Sequence, residues 1–135
     1  MTLTESLAGL PAFLSYFSVS LALLVVFLAV YLAVTPYREL ALIRQGNVAA
    51  AISLGGAVIG FVLPLARAVT QSVSMLDLVA WGGVALVVQV VVFLLVGVLL
   101  PKLTAAVKDG QVAAAAFLAS LAVAVGLLNA ASMTT

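Results

Sequence analysis

The chain has 135 residues, of which five are Lys or Arg, four are Asp or Glu, and none is His or Cys. It is 67% hydrophobic and 7% charged, with a mean hydropathy of +1.43, whereas a soluble domain carries about 25% charged residues. A water-soluble fold is excluded, because folded soluble proteins need a charged exterior. Without Cys there are no disulfides, thiolate nucleophiles or thiolate-bound metals, and without His the usual general base and transition-metal ligand are missing. A net charge of +1 with scattered basic residues offers no patch for nucleic acid.

The first fourteen residues hold no Lys or Arg. The first apolar run is therefore expected to be a retained span rather than a signal peptide, which needs a basic leading region. Crossing a bilayer takes about 20 apolar residues in a helix, and residues 15–34 supply the first such run. Thr35-Pro36 follows it, and the proline is expected to open a short helix with Thr35 as its N-cap. Gly46 suits the left-handed residue that closes that helix. The second span is expected over residues 48–66, stopping at Arg67. Ser74 to Asp77 resembles a capping box opening the third span, residues 78–100. Pro101 and Gly110 then repeat the pattern of proline, short helix and glycine, and residues 112–131 form the fourth span. Continuous apolar runs rather than alternation argue against a β-barrel. The expected fold is an all-α, four-transmembrane-helix bundle forming a single domain over residues 1–135, with short interfacial helices between spans.

Arg38, Arg44, Lys102 and Lys108 fall in two connections on one side of such a bundle, and Arg67 alone marks the other. The positive-inside rule places those connections in the cytoplasm and both termini outside it. The stretch from Arg44 to Ala51, RQGNVAAA, matches KDGQVAAA from Lys108 to Ala115. Two units are thus expected, about 15–70 and 78–135, each a helical hairpin. Because each unit crosses twice, they are parallel repeats about an axis along the membrane normal. The second copy lacks the first copy's Gly56, Gly60 and Pro64, having Ser120, Ala124 and Leu128 instead, so identical roles for the two halves are not expected.

From Glu39 to Ala66 the chain reads ELALIRQGNVAAAISLGGAVIGFVLPLA. This resembles the bacterial YjfL-like inner-membrane family, also called domain of unknown function 350. The resemblance is carried by Glu39, Leu42, Ile43, Arg44, Gly46, Asn47, residues 49–52, Leu54, Gly55, Gly56 and Gly60. It implies a bacterial inner-membrane protein of doubled helix-pair architecture, from a family without an assigned function, some of whose members have gene neighbourhoods that suggest envelope or membrane-stress roles. It supplies no catalytic or ligand residues.

Within the second span Ala49, Ser53, Gly56, Gly60 and Pro64 share one helical face. Small faces let backbones approach closely, and the same face could instead line a pore, with Pro64 freeing a carbonyl. Gln89 lies mid-span and must find a partner for its amide; it is either interhelical glue or a pore-lining group. Asn129 stands on a face with Ala115, Ala119, Ala122 and Gly126, a close-packing surface. Arg38, Glu39, Arg44, Asn47, Lys102 and Lys108 form the cytoplasmic loop set, read as topology anchors with Tyr37 at the headgroups, or as a docking surface. Arg67 and Asp77 bracket the external connection and could pair. No carboxylate lies within a span, which argues against a proton relay through buried Asp or Glu.

No catalytic, cofactor-binding or metal site is expected, and the chain is read as a non-enzyme. Its partners are the lipid bilayer, further copies of itself and a cytoplasmic protein, not nucleic acid. Two functions compete: an oligomeric channel or transport-like protein, since four short helices barely enclose a pore, and a structural protein scaffolding an envelope or membrane-stress assembly.

Overall fold

The computed structural model describes residues 2–133. Among them the chain forms helices α1 (Leu3–Ser6), α2 (Leu10–Val34), α3 (Glu39–Arg44), α4 (Val48–Gln71), α5 (Met75–Leu99), α6 (Pro101–Lys108) and α7 (Val112–Ser132), and no strand. α1–α2, α4, α5 and α7 give four helices long and apolar enough to cross a membrane.

The helix ends show which local signals governed the chain. α2 begins at Leu10, earlier than the hydropathy run suggested, because Pro11 falls in its first turn, where a missing N–H costs nothing. At the other end Thr35 does not cap a helix starting at Pro36. It is the C-cap of α2, its hydroxyl donating back to the Tyr31 carbonyl at 2.6 Å. Residues 35–38 form a bend, and the next helix starts only at Glu39. Pro101 does open α6 at its first position.

α3 and α6 end alike. Gly46 and Gly110 have φ of 89° and 83°, in the left-handed region that favours glycine. The Gly46 N–H donates to Ile43 and the Asn47 N–H to Leu42; Gly110 and Gln111 make the corresponding bonds to Val107 and Ala106. Both are Schellman motifs, which satisfy carbonyls that would otherwise be orphaned at a helix end. Asn47 does more than its counterpart Gln111. Its side-chain oxygen accepts from the Ala50 N–H to cap α4, while its amide donates to the Lys108 carbonyl at 3.1 Å. It thereby ties the start of α4 to the end of α6.

At the opposite end α4 runs four residues past Arg67. Arg67 and Asp77 do not pair: Arg67 donates Nε–H to the Met133 carbonyl, and Asp77 accepts from the Val73 N–H. Ser74 caps α5 as expected, accepting from the Asp77 N–H. The reciprocal bond reaches one residue further back than in a standard capping box.

α4 is the central helix. Half of its apolar window is buried, against about a tenth of that of α2. It meets α7 at near backbone contact. A Cβ on Gly56 would collide with Ala119, one on Gly60 with the Ala122 carbonyl, and one on Gly126 with the Gly60 carbonyl. Pro64 is buried inside the continuous α4 helix. Lacking an N–H, it leaves that same Gly60 carbonyl without its intrahelical donor. The chain therefore places a glycine where a carbonyl has been freed.

The remaining core is aromatic. The Phe27 and Phe61 rings stack at 4.5 Å with a 6° interplanar angle, and Tyr31 packs against Phe93 at 4.5 Å. Such pairs contribute about 0.5–1.5 kcal/mol beyond the area they bury.

Candidate functional site

A cavity of ≈ 50 Å³ opens within the bundle beside this aromatic cluster. A water needs roughly 10–15 Å³ on the same measure, so it can hold a few waters or a small ion. Its walls are mostly apolar, but Tyr31, Tyr37, Ser53, Gln89 and Thr104 bring polar groups to it from α2, the connection before α3, α4, α5 and α6.

Gln89 is 5% exposed. Its amide nitrogen donates to the Ala122 carbonyl on α7 at 3.4 Å, and its Oε1 is buried with no partner. Gly60 is what admits it, since a Cβ there would lie 2.9 Å from Gln89 Nε2. An unmatched buried acceptor costs about 1–3 kcal/mol.

Glu39 departs most from expectation. The sequence places it in an exposed polar connection, yet it is 1% exposed. The bend at residues 35–38 folds the chain back, and the Tyr31 hydroxyl donates to Glu39 Oε1 at 3.3 Å. Glu39 Oε2 is buried and unpartnered. Burial pushes the carboxyl up to about 7, against hydrogen bonding from Tyr31 and Tyr37 that pulls it down. Tyr37 is half-buried and lines the cavity. Its hydroxyl is raised by burial first and by the nearby Glu39 second. Glu39 lies outside every span, as the sequence indicates, yet it is a buried carboxyl that the argument from the spans alone did not reach.

Of the other singled-out residues, Ser53 lines the cavity from the small face of α4, while Gly56 and Gly60 face α7. Asn129 is half-buried and donates to the Ala85 carbonyl on α5 at 3.5 Å. Arg38, Arg44, Lys102 and Lys108 are exposed, and the Asn47–Lys108 bond puts the two basic connections side by side. Tyr31 and Thr104 were not legible as site residues. Tyr31, eight positions before Glu39, gave a signal only if Pro36 was read as a fold-back rather than a helix start. Among the described residues no group of three or more acidic side chains could hold a metal ion.

Four apolar helices around a small, mostly apolar cavity, with almost no mass beyond them, define a small polytopic α-helical membrane protein. The Domain of Unknown Function (DUF350) family matches residues 5–133, and the chain belongs to that family. It is 40% identical over 128 residues to UPF0719 inner membrane protein YjfL of Escherichia coli (strain K12), covering 95% of this chain and 97% of the relative. UPF0719 transmembrane protein YshE of Bacillus subtilis (strain 168) is 31% identical over 88 residues, 65% of this chain and 66% of the relative. No solved structure matches.

Proposed function

We propose that this is a multi-pass inner-membrane protein that admits a small ion through the cavity of its bundle, acting as an oligomeric channel or transport-like protein. Gln89 carries the reading. A buried amide oxygen without a partner, facing a cavity that also presents four hydroxyls, is a site prepared for a ligand that donates hydrogen bonds or carries positive charge. The relative from Escherichia coli, an inner membrane protein by name, supports an inner-membrane location. The charge bias puts the basic connections, with α3 and α6 as interfacial helices, in the cytoplasm and both termini outside. The matching Schellman ends of α3 and α6 favour two parallel hairpin repeats.

Purified protein in liposomes, given K⁺, Na⁺, Cl⁻ and proton gradients, should pass at least one cation, and Gln89→Leu should abolish the flux. Flux unchanged in Gln89→Leu would remove the cavity from the path. The exposed cluster Arg38, Arg44, Lys102 and Lys108 favours a second reading, a scaffold that docks an acidic cytoplasmic protein. Silent liposomes, with a partner lost on charge reversal of those four residues, would establish the scaffold instead.

A further inference from the structure

We infer that Glu39 is a reversible proton-binding site beside the cavity, joined to it through Tyr31, and that the proton is the cation this bundle takes up. The inference rests on reading the cavity as an ion site and names its ion.

A carboxylate removed from water is costly unless it is paired, and an unpaired one takes up a proton instead. Glu39 is more fully buried than Gln89, and its side-chain hydrogen bonding comes from tyrosine hydroxyls. Arg38 and Arg44, its neighbours on α3, are exposed. The titratable groups that bear on it are Tyr31 from α2 and Tyr37 from the connection. α4 brings Ser53 to the two tyrosines, a hydroxyl that does not titrate.

The two carboxyl oxygens have different duties. Oε1 is held as an acceptor by the Tyr31 hydroxyl, and Tyr31 is itself clamped between Phe27 and Phe93. Oε2 has no partner. The proton therefore binds on Oε2: an O–H bond of hydronium breaks, an O–H bond to Oε2 forms, and water is released. Release reverses the step, and no electron moves. Tyr31 touches both Glu39 and the cavity, so the site and the cavity share a wall.

The test is an infrared pH titration of the protein in phosphatidylethanolamine–phosphatidylglycerol vesicles, run beside proton, Na⁺ and K⁺ flux. Wild type, Glu39→Gln, Tyr31→Phe and Gln89→Leu are compared. A carboxylic C=O band should titrate near pH 7 in wild type and be missing in Glu39→Gln. Its midpoint should rise in Tyr31→Phe, where a bond to the ionised form is lost. Proton flux should be lost in Glu39→Gln. The absence of any near-neutral carboxyl overturns the inference. So does Na⁺ or K⁺ flux that needs Gln89 but is indifferent to Glu39→Gln, which leaves the permeation reading standing. A titrating Glu39 band with no flux of any ion upholds the proton site and sinks the permeation reading. Tyr31→Phe keeps the carboxyl and the ring, so its band shift tests the site even if Glu39→Gln folds poorly.

Discussion

The acid at position 39 changes what the molecule can do, and its effect should be visible in stability. An unfolded chain returns the carboxyl to its ordinary value of 4.5, while burial in the folded protein raises it to about 7. Between those values the folded state binds more protons than the unfolded one, so stability falls as pH rises through that window and levels off above it. A series of thermal melts from pH 4 to pH 8 should show this slope in wild type and lose it in Glu39→Gln. A slope of equal size in the variant would assign it to other carboxylates. The same position shows where reading by composition stops. A charge next to Arg38 in a short connection looks solvated, and nothing local says that the chain turns back to bury it.

The contact of α4 with α7 belongs to the scale of elements, where one substitution should act with opposite sign at different glycines. Gly126 lies against the Gly60 carbonyl with no room for a Cβ, while a Cβ on Gly55 would meet nothing within 4 Å. Gly126→Ala should therefore lower the melting temperature in detergent, since overpacking costs about 1–3 kcal/mol. Gly55→Ala should leave it unchanged or raise it, because Ala gains about 0.5–1 kcal/mol over Gly inside a helix. Equal effects at both sites would mean that α4 and α7 do not meet as described. The small face of α4 was evident from the spacing of Ser53, Gly56, Gly60 and Pro64. Its partner was not, because α7 is alanine-rich on several faces and only Gly126 marks the closest approach.

The whole molecule has a basic end and an end marked by Arg67. With no native Cys, single cysteines report the orientation of these ends without interference. In intact cells a membrane-impermeant maleimide should label Arg67→Cys, and should reach Arg44→Cys only after lysis. The reverse pattern would put the basic connections, and with them Glu39 on α3, outside. That would reverse the side from which the proton loads without altering the site itself.

Four helical spans, the glycines that end α3 and α6, and the Ser74 cap were determined by the sequence alone. Each rests on contacts between residues close in the chain: apolar runs of sufficient length, a left-handed backbone that favours glycine, and a hydroxyl three residues from an amide. The burial of Glu39, the inward turn of Tyr37, the use of Thr35 to end α2 and the meeting of Gly126 with the Gly60 carbonyl were decided by tertiary structure. These depend on how segments far apart in sequence pack, and in a membrane apolarity cannot choose that packing, because lipid is as apolar as a neighbouring helix. Close backbone fit and the few buried polar groups make the choice.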